Sequence, residues 1–204
     1  MKLLIGTNNK HKAREIQQIL DKRNPGEVKL LTPAEVLGKV IDVEETGATL
    51  EENAFLKASK YFEMTKIPCF ADDTGLEIDA LSGLPGVQSA RFSGVHGNDA
   101  ANRKKVLDLL EDVPSEKRTA RFRTVISFAD GKNVKYFEGR CEGKIINEER
   151  GQNGFGYDSI FVPDEYKQTF AEMNPEKKNE LSHRSKAVLN FLNYLIENEL
   201  KESI

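Results

Sequence analysis

The chain has 204 residues, with 30 basic and 33 acidic side chains and a formal net charge of -3. Hydrophobic residues make up 38% of the sequence, so the chain can bury enough apolar surface to fold and is not a disordered protein. Proteins that bind nucleic-acid backbones usually carry an excess of basic residues, and this balance therefore disfavours nucleic acid as a partner. The overall charge balance is still compatible with a local basic cluster that binds a small anion.

The cysteines and the N-terminus predict a cytoplasmic location. Cys69 and Cys141 belong to no CxxC motif or His/Cys cluster, which disfavours a disulfide framework and a zinc site and favours a reducing compartment. The apolar run from Leu3 to Ile5 is too short for a signal peptide, and no stretch approaches the length of a membrane span. We therefore expect a cytoplasmic protein without a membrane partner.

Hydrophobic periodicity and capping residues predict the elements of the first part of the chain. In chain order they are a strand over 2–6, a helix over about 10–22, a strand over 28–31, a helix over about 50–64 and a strand over 68–71. Thr49-Leu50-Glu51-Glu52 fits a capping box at the start of the second helix. The last of these strands is expected to stop at Asp72-Asp73-Thr74-Gly75, a sequence typical of turns.

The second part of the chain reads as a long hairpin flanked by helices. The predicted elements are a structured loop over 82–97, a helix over about 98–111, a strand over 120–128, a return strand over about 134–146 interrupted by Gly139 and Gly143, a glycine-rich loop over 151–158, a short strand ending at 161 and a helix over about 182–200. Asp130-Gly131 supplies the hairpin turn. The predicted class is mixed α/β, with parallel-type units and one antiparallel hairpin.

Three cations interrupt the amphipathic pattern of the helices. Lys12, Lys57 and Arg184 each lie on the core-facing side of their helix, where an unpaired charge is costly. For any one of them, a side chain whose head reaches solvent is an equally good interpretation. Together they favour a shared anionic target in a cleft, and the helix starts after Asn9 and near Ser182 suit phosphate.

Two adjacent carboxylates end a strand that should be buried. Successive strand residues point to opposite faces, so only one of Asp72 and Asp73 is expected to enter the cleft with Glu45. Carboxylates beside phosphate-binding lysines make sense when Mg²⁺ bridges them. A simple turn is the alternative interpretation of this segment.

The loop over 151–158 carries two aromatic residues. Phe155 or Tyr157 offers a stacking face for a base, although either could equally anchor the core. His183 draws interest because it adjoins Arg184.

Seven short segments, taken in order, resemble the inosine triphosphate pyrophosphatase family over nearly the whole chain. They are Thr7-Asn8-Asn9-Lys10-His11-Lys12, Glu45-Thr46-Gly47, Glu52-Asn53-Ala54 with Lys57, Ala71-Asp72-Asp73-Thr74-Gly75-Leu76, Pro85-Gly86 with Ser89-Ala90-Arg91, Gly154-Phe155-Gly156-Tyr157-Asp158, and Ser182-His183-Arg184. Each segment alone is weak evidence, whereas all seven in this order and spacing are specific.

The resemblance implies a fold and an activity. The fold is an elongated, twisted mixed sheet with helices forming two lobes around a central cleft, within one domain over 1–204. The activity is Mg²⁺-dependent hydrolysis of non-standard purine triphosphates (ITP, dITP and XTP) to the monophosphate and pyrophosphate, which clears deaminated purines. The resemblance also implies a homodimer.

The resemblance further implies roles for individual residues. Phosphates would be held by Thr7, Asn8, Asn9, Lys10, His11, Lys12 and Lys57. Glu45 and Asp73 would bind Mg²⁺, with Asp73 also the general base. Thr74 would contact substrate and Phe155 would stack on the purine. Further base and phosphate contacts would come from Gly156, Tyr157, Asp158, Lys178, His183 and Arg184.

The sequence departs from the family pattern at three points. The first loop has Asn8 where many relatives have Gly, Thr74 stands where Ser is common, and Ser159 replaces a Pro. Of the adjacent lysines 177 and 178, the count back from Ser182 favours Lys178. None of these departures touches the metal carboxylates.

Three other functions remain alternatives. One is a pyrophosphatase that prefers pyrimidine or modified nucleotides, and another is a nucleotide sensor without chemistry. The third, a nucleic-acid-binding module, is disfavoured by the charge balance. Rejection of guanine, which shares the C6 carbonyl of hypoxanthine, is not explained by any residue pattern.

Overall fold

The computed structural model describes residues 2–23, 28–39 and 41–202. Its strands and helices are β1 Lys2–Ile5, α1 Lys10–Arg23, β2 Lys29–Leu31, α2 Pro33–Leu37, α3 Leu50–Thr65, β3 Cys69–Ile78, β4 Pro85–Gly86, α4 Asp99–Leu109, β5 Thr119–Ala129, β6 Val134–Ile145, β7 Phe161–Pro163, α5 Pro175–Leu181 and α6 His183–Glu202.

The strands of the described residues form one seven-stranded sheet of mixed direction. Its order is β2-β1-β3-β5-β6-β7, and β4 pairs with β3 off this path. Strand β1 runs parallel to β2 and β3, whereas β4 is antiparallel to β3, and β7 is antiparallel to β6. The predicted fold class, a mixed sheet with helices, is confirmed.

Strand β3 runs through the segment that reads as a turn. Residues 72–75 are interior to β3, and Leu76 and Glu77 pair with Gly86 and Pro85 of β4. A Cβ added to Gly75 would lie 2.6 Å from the carbonyl oxygen of Gly86, so the glycine permits close approach of the two backbones. The turn interpretation and the predicted end of the strand at residue 71 are therefore wrong, because tertiary pairing overrides local preference.

Strand β6 is likewise continuous where interruptions were expected. A Cβ on Gly143 would overlap the carbonyl oxygen of Val162, which pairs across to Lys144. The glycine therefore lets β7 lie close instead of ending the strand.

Two short helices went unpredicted. Thr32 caps α2 through a capping box with Glu35, and Pro33 stands at the first helical position. Asn174 caps α5 without a capping box, by accepting a hydrogen bond from the backbone N–H of Lys177.

The chain divides into two compact units. Unit 1 comprises residues 1–73, 124–139 and 184–204, and unit 2 comprises residues 74–123 and 140–183. In unit 1, Phe70 packs in a cluster with Ile16 of α1 and Phe191 of α6, while Ala71 packs with Ala58 of α3. The neighbouring residues of β3 thus face different helices.

Unit 2 has an aromatic core. Phe122, Phe161 and Phe170 pack together, with ring centroids 4.8 to 5.8 Å apart. The ring of His183 stacks on Phe122 at 4.6 Å. No helix in the described part of the chain combines the length and the apolar character that crossing a membrane requires.

Replacement of Gly143 with Ala should destabilise the protein, because the new methyl group meets backbone that cannot rotate away. We expect a loss of about 1–3 kcal/mol in the free energy of unfolding, measured by urea denaturation. Lys144→Ala, on the exposed side of the same strand, is the control and should change this free energy by less than about 0.5 kcal/mol. Equal stability of Gly143→Ala and the wild type would refute the close approach of β7.

Candidate functional site

Lys57 lies between two carboxylates in unit 1. Its Nζ atom is 2.6 Å from Oε1 of Glu45 and 3.1 Å from Oδ1 of Asp73. Helix α3 begins at the cap Thr49, as predicted, and its periodicity places Lys57 on the buried face, where it is 8% exposed. The alternative interpretation, in which the ammonium group of Lys57 reaches solvent, is therefore wrong.

Asn53, one helical turn before Lys57, links the Glu45 loop to β3. Its Oδ1 atom accepts a hydrogen bond from the backbone N–H of Gly47 at 2.8 Å, and its Nδ2 atom donates to Oδ2 of Asp73 at 3.4 Å. The side chain is fully buried. Asn53 therefore holds the loop and the carboxylate in fixed positions, a role that no local pattern predicted.

Burial and neighbouring charges change the pKa values of Asp73 and Lys57 in different ways. Burial raises the pKa of Asp73 above its ordinary value; Lys57 counteracts this, and the Glu45 carboxylate adds to it. For Lys57, burial lowers the pKa, but Asp73 and Glu45 more than compensate, and the net pKa is raised. Lys57 is therefore a permanent ammonium, and Asp73 is a carboxylate with increased affinity for a proton.

Asp72 points to the other side of β3, toward α1 and α6. Its Oδ2 atom lies 3.1 Å from Nζ of Lys12 and 3.5 Å from Nε of Arg184. The guanidinium of Arg184, which is 1% exposed, also pairs with Glu15 through Nη1. Of the two aspartates, only Asp73 shares a cation with Glu45, in line with the alternation of side chains along a strand, while Lys12 and Arg184 share Asp72. The interpretation of Arg184 as a side chain whose head reaches solvent is wrong.

These contacts set the protonation state of Asp72. Burial by itself raises the pKa of this carboxyl group, but Lys12 and Arg184 outweigh burial and hold the pKa well below its usual range. Asp72 is therefore ionised at neutral pH, and it compensates the buried Arg184 and the half-buried Lys12.

The segment from Thr7 to Lys12 is a loop followed by the first turn of α1. Oδ1 of Asn9 accepts hydrogen bonds from the backbone N–H groups of His11 and Lys12 at 2.9 and 3.2 Å, which is the predicted N-cap. Nδ2 of Asn8 donates to the carbonyl oxygen of Ile41 at 2.7 Å. Exposed side chains in this segment are Asn8, Asn9, Lys10 and His11.

A second charged group lies in unit 2. Nζ of Lys178 is 2.7 Å from Oδ2 of Asp158 and 5.1 Å from the ring centroid of Phe155. The same Oδ2 atom accepts a hydrogen bond from the backbone N–H of Phe155 at 2.9 Å. Lys178 is buried, whereas Lys177 is exposed and lies over the ring of Tyr166.

The other predicted residues of unit 2 have different surroundings. Tyr157 is buried, and its hydroxyl donates to the carbonyl oxygen of Ser89 at 2.8 Å. Of the two interpretations of Tyr157, a stacking face for a base and an anchor of the core, the second is therefore correct. Phe155 is only half-buried. His183 is buried against Phe122, and Thr74 is half-buried within β3.

Gly156 is held by α4, which the sequence did not associate with the site. Its N–H donates to Asp99 and its carbonyl oxygen accepts from Arg103. Asp99 and Arg103 carried no signal of this contact, because their partner lies more than fifty residues away along the chain.

Comparison with known proteins identifies close relatives over almost the full length. A model of the Ham1 family matches residues 3–194. The dITP/XTP pyrophosphatase of Desulforamulus reducens is 49% identical over 189 residues, covering 92% of each chain. The protein of the same name from Porphyromonas gingivalis is 46% identical, covering 96% of this chain and 97% of its own. A solved HAM1 protein from Coxiella burnetii matches with a TM-score of 0.86 and 38% identity, over 97% of this chain and 99% of that one.

Asp72→Asn should destabilise the protein strongly at neutral pH, because Lys12 and Arg184 lose a buried counter-charge. We expect a decrease of about 3–5 kcal/mol in the free energy of unfolding, measured with urea. Asp108→Asn, which removes an exposed carboxylate paired with Lys104, should cost less than about 1 kcal/mol.

The destabilisation caused by Asp72→Asn should depend on pH. Because the folded-state pKa of Asp72 is lowered, its contribution is present above the unfolded pKa of about 3.9 and is lost as the pH falls below it. The difference in stability between wild type and Asp72→Asn should therefore narrow below about pH 4. A difference that stays constant through this range would contradict the ion pairs.

Proposed function

The chain belongs to the Ham1 family, and on this basis we propose that it hydrolyses ITP, dITP and XTP to the nucleoside monophosphate and pyrophosphate with Mg²⁺ as cofactor. The resemblance read from the seven sequence segments is confirmed. The chain is an enzyme of nucleotide metabolism, a nucleoside-triphosphate pyrophosphatase. Cytoplasmic location and a homodimer stay predictions from the sequence.

The observation that carries the proposal is the position of Lys57 between Glu45 and Asp73. A protein that only senses a triphosphate needs cations for the phosphates and has no use for two carboxylates beside them. Hydrolysis needs both, because it requires a proton acceptor for water and positive charge for the leaving group. The group therefore favours an enzyme over a sensor.

The residues around Lys57 fit Mg²⁺. No group of three or more His, Cys, Asp or Glu residues that could hold a metal occurs among residues 2–23, 28–39 and 41–202. Mg²⁺ does not need three protein ligands, since it keeps several waters and takes only one or two carboxylates from the protein. Glu45 and Asp73 contact the same ammonium, and two carboxylates beside one cation leave a net negative charge, so a further cation is favoured there. Bound at these carboxylates, Mg²⁺ would neutralise charge on the phosphates.

Asp73 would act as the general base. Its pKa is raised chiefly by burial, which makes it a better proton acceptor than an exposed aspartate. Asn53 holds Oδ2 through its amide, and Lys57 contacts Oδ1. Water that loses its proton to Asp73 attacks the α-phosphorus, and pyrophosphate leaves with its charge met by Lys57. Lys12 pairs with Asp72 but also lowers the pKa of Asp73, so its charge is near enough to contribute.

The base would stack on Phe155. This ring is half-buried, and the Lys178 ammonium 5.1 Å from its centroid is a donor suited to a C6 carbonyl, the group that hypoxanthine and xanthine present in place of the amino group of adenine. His183 and Arg184 stay predicted base contacts. Within the protein, His183 stacks on Phe122, and Arg184 pairs with acidic residues.

The products of dITP hydrolysis test the proposed reaction. We expect dIMP and pyrophosphate in equal amounts, separated by ion-exchange chromatography, because attack occurs at the α-phosphorus. A panel of dITP, XTP, GTP, dTTP and UTP then tests the base. Release of dIDP and phosphate would overturn the reaction, and preference for dTTP would support a pyrimidine-directed enzyme.

Asp73→Asn should lower kcat for dITP by at least about 100-fold, because the amide cannot accept the proton. Pyrophosphate release is measured with MgCl₂ and again after chelation with EDTA, which should abolish the wild-type rate. Glu63→Gln, an exposed change on α3, is the control and should leave kcat unchanged. Full activity of Asp73→Asn, with or without the metal, would exclude Asp73 as base.

A further inference from the structure

Helix α4 holds both backbone polar groups of one residue of the glycine-rich loop, Gly156. Oδ2 of Asp99 accepts a hydrogen bond from the N–H of Gly156 at 2.7 Å, and Nη1 of Arg103 donates to the carbonyl oxygen of Gly156 at 2.8 Å. Residues four apart lie on the same face of a helix, so one face of α4 supplies both contacts. Both are charge-assisted bonds, which are stronger than neutral ones.

These bonds fix the backbone next to Phe155. The N–H of Phe155 is held by Asp158 at 2.9 Å, and the following N–H, that of Gly156, is held by Asp99. Gly156 has φ of +62°, a conformation that glycine adopts readily. The direction of the Cα–Cβ bond of Phe155 is therefore set by the bonds on its two flanking peptides, and Arg103 holds the next peptide, the one that follows Gly156.

Arg103 is itself held in place by a second contact. Its Nε atom donates to Oε2 of Glu149 at 2.8 Å, and the same oxygen accepts from the hydroxyl of Ser159 at 3.0 Å. Ser159 directly follows Asp158, so these contacts return to the loop that carries Phe155. The planar guanidinium suits this arrangement, because it presents donors in a fixed geometry to two acceptors at once.

We propose that Asp99 and Arg103 are positioning residues that orient Phe155 for stacking on the purine, and that Glu149 and Ser159 support Arg103. The inference rests on the proposed function, and it adds residues that neither sequence pattern nor family resemblance singled out. Their loss weakens binding of the base part of the substrate, and the chemistry at the phosphates is unchanged.

The test compares a substrate that has a base with an inhibitor that has none. For Arg103→Ala and Asp99→Ala, kcat and KM are measured with dITP, and Ki is measured for inorganic tripolyphosphate. We expect KM for dITP to rise roughly 5- to 10-fold with kcat within about twofold of wild type, because uniform binding is lost. The Ki for tripolyphosphate should not change. Lys104→Ala, which removes an exposed cation from the same helix, is the matched control.

Arg103→Lys and Ser159→Ala keep the test decisive if Arg103→Ala folds poorly. Arg103→Lys keeps the charge but cannot reach both acceptors with a planar fork, so it should give an intermediate rise in KM. Ser159→Ala removes only the hydrogen bond that the Ser159 hydroxyl donates to Glu149, and it should raise KM about twofold.

A double variant tests whether Arg103 acts through Phe155. In the background of Phe155→Ala, Arg103→Ala should have no further effect on KM, because both changes act through the same ring.

The outcomes separate the inference from the proposed function. A wild type that does not hydrolyse dITP refutes the proposed function, and the inference with it. A wild type that does, with KM unchanged in Arg103→Ala and Arg103→Lys, refutes the inference alone. A parallel rise in the Ki for tripolyphosphate also refutes it, because the change is then general and not confined to the base.

Discussion

Successive side chains of a strand point to opposite faces, and the charged residues of unit 1 depend on this constraint. Asp72 and Asp73 are neighbours in sequence and would repel each other on one face. Strand β3 separates them, so that Asp72 meets Lys12 and Arg184 while Asp73 meets Lys57. One carboxylate compensates the charges of Lys12 and Arg184, and the other is the base of the proposed hydrolysis.

Each of these charges is tolerable in the interior only because of the others. A buried ion pair contributes little net stability, since desolvation offsets most of the attraction, but removal of one partner leaves an isolated charge. What such a group provides is a fixed geometry, with Asn53 and Lys57 each holding one oxygen of Asp73. Fixed dipoles and charges around a reacting centre need no reorganisation when the reaction occurs.

Periodicity predicted part of this arrangement. A lysine within an apolar helical stripe is visible in the sequence, and Lys57 and Arg184 are buried as that pattern indicates. Composition was misleading at Asp72-Asp73-Thr74-Gly75, because the pairing between β3 and β4 depends on residues eight to ten positions apart, outside the four-residue pattern of a turn. The capping box of Thr32 was present in the sequence and readable, but helix α2 is too short for a clear period.

Polar residues that act through distant partners could not be found locally. Asn53 reaches Asp73 across 20 positions, and Asp99 reaches Gly156 across 57. An asparagine near a helix start and an aspartate in a first turn already have ordinary local interpretations as helix-terminal residues. Only the folded chain distinguishes these two from the many others like them.

The division of the chain into units has a consequence for its synthesis on the ribosome. Unit 2 ends at residue 183, whereas unit 1 also includes α6, whose Phe191 and Leu192 share a core cluster with Leu3 and Ile5. Strand β1 is translated first but lacks those packing partners until the C-terminal helix has left the exit tunnel. The core of unit 2 can therefore form while the core of unit 1, whose synthesis began earlier, is still incomplete. Nascent β1 needs protection from aggregation during that interval.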